Sequence, residues 1–562
     1  MTNPVLSLLS GVTRQTKDAF LQKTQQVEAV QAQFLRSLLQ VQQDTVLGRA
    51  LQLADIRTVD QYRERVPILP YSSYEPYIER VAQGEPGVMT ADPVLYLNLT
   101  SGSTGKQKLV PVTAKTRQIT SQVNRIGMGF AIEALRQRNL FPGKMLLTSS
   151  IQLLGHTTAG IPYGPVSVGH LRTRSFLERQ LLAHPFTALE IADSLARHYV
   201  CLLFALRQSR LGGLGANFPI LALRICDYLE SYAEDLIQDL ETGAIADWLK
   251  LEPHLRQSLQ QRLRPHRKRA AYLRQVLKQV GRLTPQHAWE QISFITTARG
   301  GTSDFYFERF PQYFGNTPIY GGIYSSAEAT FGIYPDFNVD GSILAMEAGF
   351  FEFIPEDQWA TDQPKTLLAT EVTPGQRYRI LVTNYSGLYR YDIGDVVEVV
   401  GFHNQAPILV FRHRLGGLLS STTEKTTEFH AIQVMQRLQQ DFGIVLENFC
   451  ITLSDDGIPA HYLVNIELAP GQHLADPHAF IRQFDRCLQE IHVSYAVKRR
   501  DQVPPPRLRL LAPGSFHRLR DRLLQRGIPE GGLKFPHITE NRRHLDGLTV
   551  LQEVGLEETI PC

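Results

Sequence analysis

Residues 94–113 read VLYLNLTSGSTGKQKLVPVT: two short apolar runs separated by nine residues, Thr100 to Lys108, all small, hydroxylated or basic except Gln107. Both runs are rich in aliphatic and β-branched residues and too short for a helix with a buried face, so each reads as a strand. The connecting stretch suits phosphate. Small residues let backbone N–H groups come close, hydroxyls donate to phosphate oxygens, and lysine brings charge. It is not the P-loop of kinases and GTPases, which needs a glycine five places before its Gly-Lys pair and Ser or Thr after it. Those places hold Thr100 and Gln107. Taken alone, the stretch reads equally well as a flexible Ser/Gly turn.

Upstream, Thr13 to Leu53 reads as one helix, with Phe20, Val27, Val30, Phe34, Leu38 and Val41 forming a buried stripe. VPILPYSSYEPYIERV then reads as a loop and a short helix punctuated by Pro67, Pro70 and Pro76. Downstream, residues 115–290 are mostly helical in pattern. The Arg- and Gln-rich piece from Leu255 to Arg282 lacks regular aromatic interleaving, so it reads as a solvated helix face and not as a nucleic-acid surface. From 292 to 400 the texture changes to short strands with Gly and Pro turns: ISFITTA, GSILAME, GFFEFIP, YRILVTN and DVVEVVG. After Arg414, LGGLLSSTTEKTTEFH opens a last section with strands near 447–454 and 462–467 and helices near 475–490 and 515–525. Gly416-Gly417 is either a hinge or an ordinary turn. The expected division is a large domain, 1–413, and a small mobile one, 414–562.

The chain has 562 residues, 43% hydrophobic and 20% charged, which is globular composition with ample material for a core. Its 58 basic and 55 acidic residues give a net charge of +3, which points to neither nucleic acid nor an anionic membrane as a partner. No stretch of ~18 apolar residues reads as a membrane span. Cys201, Cys226, Cys450, Cys487 and Cys562 stand far apart, and the first residues lack a signal-peptide pattern, so a cytoplasmic location is expected.

Two further stretches carry chemistry. Tyr320-Gly-Gly-Ile-Tyr324-Ser-Ser-Ala-Glu328 sets an aromatic four residues before a carboxylate: one can stack on a purine, the other can hold Mg²⁺ against phosphate. By itself, the stretch reads better as a strand-end core tyrosine and a solvated glutamate. Gly387-Leu-Tyr-Arg390-Tyr391-Asp392-Ile-Gly394-Asp395 offers an aspartate to a ribose diol, or an aspartate that caps its own turn.

In combination the three stretches resemble the adenylate-forming superfamily of acyl-CoA synthetases, luciferases and peptide-synthetase adenylation domains. TSGSTGKQK is similar to its phosphate loop, with Gln107 where proline is usual, YSSAE to its Tyr-Gly-x-Thr-Glu segment, and YDIGD to its Tyr-Arg-Thr-Gly-Asp segment. VPILPYSSYEPYIERVAQGEP, FFEFIP, GLYRYDIGDVVEVVGFHNQAPILVFRHR and LLSSTTEKTTE resemble one branch, the plant auxin-responsive acyl-acid amido synthetases and their bacterial relatives.

That resemblance implies an α/β fold: a large N-terminal adenylate-forming domain with mixed sheets and helices, and a small α+β C-terminal domain. It implies that Ser101, Gly102, Ser103, Thr104 and Gly105 with Lys108 bind ATP phosphates. It implies that Gly300, Gly301 and Thr302 line the adenine pocket, and that Tyr324, with Ser325 in the same nucleotide site, stacks on adenine. Glu328 would ligate Mg²⁺, Asp395 would hold the ribose, and Arg414 and Lys425 would contact phosphate or ribose. Lys534, in GGLKFPHI, falls at the family's C-terminal lysine; with Lys108 and Glu328 it makes the expected catalytic set. Two departures stand out. Ala327 replaces the hydroxyl residue before the glutamate, with Ser326 able to compensate, and Leu415-Gly416-Gly417 replaces polar residues.

The implied reaction activates a small carboxylic acid with ATP and Mg²⁺ and passes the acyl group to an amino acid. A thioester ligase of the same superfamily and a catalytically silent nucleotide-binding protein are the alternatives.

Overall fold

The hairpin forms where the opening stretch places it: strands Tyr96–Leu99 and Leu109–Val112 pair antiparallel, with Leu99 opposite Leu109. The computed structural model describes residues 4–556 except 101–107, 302, 360, 362, 416–417, 423, 458, 501 and 526–532; of 4–10, Asp304 and Arg542 it describes the backbone alone. The chain separates into two units, Met1–Phe411 and Arg412–Cys562.

The first unit is built on a seven-stranded sheet. Its strands lie in the order Ile323–Ser325, Thr330–Ile333, Ser342–Leu344, Ala406–Arg414, Leu388–His403, Arg377–Asn384 and Phe350–Pro355. The hairpin belongs to a four-stranded sheet in which Leu109–Val112 is an edge and Tyr96–Leu99 also pairs with Pro162–Gly164. A parallel sheet of Met145–Leu147, Gly213–Gly215, Ile295–Thr296 and Ile319–Tyr320 completes the framework, with the helices of 114–288 interspersed. In the second unit, strands Leu446–Leu453, Tyr462–Leu468, Arg507–Leu511 and Val550–Gly555 form one sheet, with helices Glu428–Phe442, Pro477–Ile491 and Ser515–Gln525. No described helix is long and apolar enough to cross a membrane. The expected hinge, Gly416-Gly417, lies outside the described residues.

Two expectations need correction. The single helix over 13–53 is three helices, Pro4–Lys23, Val27–Gln42 and Val46–Ala50. The first break is plugged by the turn at Asn404-Gln405: Asn404 Nδ2 donates to Thr24 Oγ1 (2.7 Å), and Gln405 Oε1 accepts from Val27 N (3.1 Å). Thr45 caps the third helix by accepting from Gly48 N. The buried stripe keeps Phe20, Val27 and Leu38 but on the second helix is centred on Val27, Gln31, Leu35, Leu38, Leu39 and Gln42, with Val30 and Phe34 only partly buried and Val41 49% exposed. A polar residue sets that rotation. Gln31 donates to the carbonyls of Met346 and Gly349 and accepts from Phe351 N (2.9 Å), satisfying a buried amide and pinning the helix to the sheet.

The basic stretch is two helices, Pro253–Gln260 and Arg267–Val280. Two of its arginines are structural, not solvated. Arg256 donates to the carbonyls of Ile245, Ala246 and Leu249, and buried Arg269 to those of Leu206, Gln208 and Ala288.

In the large sheet, Arg390 and Glu352 form a buried ion pair. Arg390 donates from Nε and Nη2 to the two oxygens of Glu352, both at 2.9 Å, while Thr366 donates to the same carboxylate (2.6 Å). Arg390 Nη1 reaches the carbonyls of Arg63 (2.6 Å) and Val66 (2.8 Å), and its backbone sits at φ +45°. Removing one partner of such a pair strands the other charge. Glu352→Ala is therefore expected to cost about 3–5 kcal/mol, whereas Thr366→Val, which removes one neutral donor, costs about 1 kcal/mol. Urea midpoints of the full chain check this; equal, small shifts would show that Arg390 is solvated.

Candidate functional site

The expected phosphate loop springs from the neck of the hairpin. Residues 101–107, including Ser101 to Gly105, lie outside the described residues, as does Thr302. The neck itself is closed: Thr100 N donates to the carbonyl of Lys108 (2.9 Å), and Lys108 N donates to Thr100 Oγ1 (3.3 Å). Lys108 is thus the first residue on the return side, and its Nζ lies 5.0 Å from the ring centre of Tyr71. Tyr71 also grips the next residue, its hydroxyl accepting from Leu109 N (2.8 Å) and donating to Leu109 O (3.1 Å). Burial, aided by the charges of Glu75 and Glu328, pushes this hydroxyl up to about 12, so it stays protonated at neutral pH.

Glu328 is not the solvated glutamate that its sequence context also allowed. It is 4% exposed, and its Oε1 has no hydrogen-bond partner among the described residues. Its main chain is held on every side. Ser326 Oγ accepts from Glu328 N (3.1 Å) and Ala329 N (3.3 Å), Asn384 Nδ2 donates to Glu328 O (2.8 Å), and Asn98 Nδ2 donates to Ala327 O (3.2 Å). Ser326 thereby uses its oxygen on the turn. A rigid turn presenting a buried, unsatisfied carboxylate is costly unless a cation meets it. That donor is right for a hard divalent ion. Among the described residues no group of three or more His, Cys, Asp or Glu could hold a metal. An ion at Glu328 would therefore need oxygens from elsewhere, as Mg²⁺ shared with substrate phosphates does.

Tyr324 and Asp395 meet. The Tyr324 hydroxyl donates to Asp395 Oδ2 at 3.0 Å, joining residues 71 positions apart. The Tyr324 ring stacks on Phe331 (4.9 Å, 29°) and is tilted against Phe411 (5.6 Å, 44°). The carbonyl of the same Phe411 accepts from Gly301 N (3.1 Å). Gly300 and Gly301 both have positive φ, +84° and +58°, which only glycine adopts freely. These two glycines, Phe411, Tyr324 and Asp395 form one wall. Ser325 follows Tyr324 on the strand and is exposed.

The self-capping aspartate belongs to this motif too, but it is Asp392. Its Oδ1 accepts from Gly394 N (2.9 Å), and its Oδ2 pairs with Arg379 (3.2 Å). Burial, with the neighbouring charge of Asp395, raises the Asp392 carboxyl above the usual range, against Arg379 and the Gly394 amide. Asp395, 2% exposed, is left to face Tyr324.

In the second unit, Arg414 ends its strand half-buried. Lys425 adopts φ +60° with its N–H on Ser420 Oγ (2.8 Å). Lys534 is exposed between buried Leu533 and Phe535, so extended backbone alternation turns the lysine outward.

Three contributors were missed in the sequence: Tyr71, Asn98 and Asn384. Asn98 and Asn384 are polar residues in otherwise apolar strands, a pattern that flags a specific hydrogen bond. Tyr71 carried no signal beyond its place in a Pro-punctuated loop.

Gly300, Gly301, Phe411, Tyr324 and Asp395 in one wall, the closed neck at Thr100 and Lys108 and the buried Glu328 turn agree with the expected class, an adenylate-forming fold. The chain matches the models of the GH3 family N-terminal domain at residues 16–319, the GH3 family central domain at 342–414 and the GH3 family C-terminal domain at 429–543. The chain belongs to the GH3 family. It is 26% identical to indole-3-acetic acid-amido synthetase GH3.17 of Arabidopsis thaliana, over 92% of each chain. It is also 26% identical to indole-3-acetic acid-amido synthetase GH3.8 of Oryza sativa subsp. indica, over 91% of this chain and 88% of the relative. Among solved structures, GH3.15 acyl acid amido synthetase superposes with a TM-score of 0.85 at 22% identity, over 97% of this chain and 98% of its own. A 2-hydroxyisobutyryl-CoA ligase with bound 2-HIB-AMP superposes with a TM-score of 0.51 at 13% identity, over 94% of this chain and 90% of its own, so the two share the fold.

The glycine wall generates a test. A methyl at Gly300 would lie 2.7 Å from Phe411 O, whereas one at Gly375, with φ +81°, meets nothing within 4 Å. Gly375→Ala is expected to cost ~1 kcal/mol in backbone strain. Gly300→Ala adds the displacement of the Phe411 carbonyl and should lower the thermal midpoint clearly further; equal shifts would mean that the wall yields freely.

Proposed function

We propose that this GH3 chain is an ATP-dependent acyl-acid amido synthetase, an AMP-forming ligase that adenylates a small carboxylic acid and passes the acyl group to an amino acid. The observation that carries this reading is the buried Glu328 carboxylate, its turn held by backbone hydrogen bonds and its Oε1 without a hydrogen-bond partner among the described residues, in the motif that also holds Tyr324. A carboxylate acylates poorly because its leaving group would be oxide. Attack of the acid's oxygen on the α-phosphorus of ATP expels pyrophosphate and leaves a mixed anhydride whose leaving group is AMP. An amine then attacks the acyl carbon, forms the amide and releases AMP.

Such displacement needs charge neutralisation and alignment more than a protein nucleophile. Lys108 and the loop 101–107 would take the phosphates, Tyr324 the adenine with Gly300 and Gly301 behind it, and Asp395 the ribose. Arg414 and Lys425 would add contacts to phosphate or ribose. Glu328 fits Mg²⁺, which when bound would screen the phosphate oxygens. The buried free thiols of Cys201, Cys226, Cys450 and Cys487 suit a reducing cytoplasm.

The relatives named above are amido synthetases, and that favours an amine as acceptor; the ligase that shares the fold uses CoA. ATP–pyrophosphate exchange across aromatic, indolic and fatty acids, followed by acceptor trials with amino acids and CoA, tests the whole reading. Exchange with no acid would overturn it, and acyl-CoA in place of amide would make the chain a thioester ligase.

Glu328→Gln keeps the size of the side chain and removes the charge. Exchange should fall at least ~10²-fold, the scale of one preorganised transition-state contact, with the melting curve preserved. Near-normal exchange at saturating Mg²⁺ would remove Glu328 from the metal.

Lys534 is proposed to serve adenylation alone, as a cation for the departing pyrophosphate. Lys534→Ala should depress exchange strongly and spare amide formation from a chemically made acyl-adenylate. Equal losses in both half-reactions would end that division of labour.

A further inference from the structure

Two tyrosines three residues apart do the same unusual thing. The Tyr71 hydroxyl closes on both the N–H and the C=O of Leu109, at 2.8 and 3.1 Å. The Tyr74 hydroxyl closes on both the N–H and the C=O of Tyr389, at 3.0 and 2.6 Å. Leu109 follows Lys108 at the neck of the loop, on an edge strand whose outward backbone groups have no strand beside them. Tyr389 opens the stretch that ends in Asp395. Between the gripped residues the segment lies along the large sheet. Leu69 N donates to Arg390 O (3.2 Å) and Leu69 O accepts from Asp392 N (3.0 Å), a parallel bridge beside Tyr391. A separate stretch, VPILPYSSY, is therefore hydrogen-bonded at one end to the residue after the loop lysine and elsewhere to the ribose motif.

We propose that Leu69–Tyr74 is a positioning clamp that fixes the phosphate lysine relative to the ribose aspartate, with Tyr71 as the positioning residue for Lys108. The proposal rests on the nucleotide reading above. A lysine is a point charge on a flexible four-carbon stem, and a loop neck at a sheet edge leaves both stem and backbone free to wander. Tyr71 removes both freedoms. Its hydroxyl fixes the backbone just after Lys108, and its ring lies under the ammonium at cation–π distance. Tyr74 anchors the same segment to the other motif. A cation set on the phosphates that leave as pyrophosphate touches ATP but not AMP, so loosening it should discriminate between the two nucleotides. A general loss of fold would not.

The test is binding of Mg·ATP and of AMP to the full chain by calorimetry, for the wild type, Tyr71→Phe, Tyr71→Leu, Lys108→Ala and Tyr71→Leu/Lys108→Ala. Tyr71→Phe keeps the ring and should weaken ATP about threefold; Tyr71→Leu loses ring and hydroxyl and should weaken it about tenfold. AMP should change less than about twofold in both, and Tyr71→Leu should add less than about twofold once Lys108 is gone. Tyr71→Phe decides the matter if Tyr71→Leu does not fold. Equal losses of ATP and AMP, no loss of either, or full additivity with Lys108→Ala overturns the clamp alone. A wild type that binds neither nucleotide overturns the nucleotide reading and the clamp with it.

Discussion

The organisation of the large unit depends on how one short segment is held against two sheets. Residues 63–74 have little regular structure beyond the end of one helix and a single turn, yet their polar groups are claimed at nearly every step. The carbonyls of Arg63 and Val66 take the Arg390 guanidinium, Leu69 bridges to the strand beside Tyr391, and Tyr71 and Tyr74 each seize a backbone amide unit. Buried backbone groups must be paired, and where no strand can supply the partner a side-chain hydroxyl or guanidinium does. The consequence is geometric. Loop neck, buried carboxylate turn and the strand that carries Asp395 come from residues around 100, 328 and 395, and this seam ties the first to the last.

Much of this was legible in the sequence, for a physical reason: a strand of four to eight apolar residues bounded by Gly, Pro or Asn announces itself locally. The hairpin around Thr100–Lys108, the runs between 341 and 400 and the strands of the last section are of that kind, whereas ISFITTA forms only the short strands Gln291–Ile292 and Ile295–Thr296. Tyr324 and Asp395 were also singled out by type and order, and the structure sets their polar atoms 3.0 Å apart. What escaped depends on distant residues. The helix break at Thr24 is plugged by Asn404 and Gln405, and the rotated stripe follows from Gln31 reaching Met346 and Gly349. Periodicity reports a helix's own residues and cannot report a plug that arrives 380 positions later.

The aspartates show the same limit at finer scale. Asp392 and Asp395 lie three residues apart on the strand Leu388–His403, on either side of Gly394, and the sequence lets either cap its own backbone. Arg379 decides between them. It arrives from the neighbouring strand, pairs with Asp392 and leaves Asp395 to Tyr324.

Two buried glutamates in this unit carry the argument to its end. Glu352 and Glu328 are 1% and 4% exposed, and nothing in FEF or SAE separates them. Glu352 has its lone pairs filled by Arg390 and Thr366, so its charge is neutralised inside the fold and its role is structural. Glu328 keeps one oxygen without a partner among the described residues, while Ser326, Asn384 and Asn98 hold the backbone of its turn in place. A fold that needed only stability would lose nothing by replacing that carboxylate with an amide or a methyl group. The hydrogen bonds to its backbone hold that turn rigid, so the cation proposed for it would meet a carboxylate that needs little reorganisation.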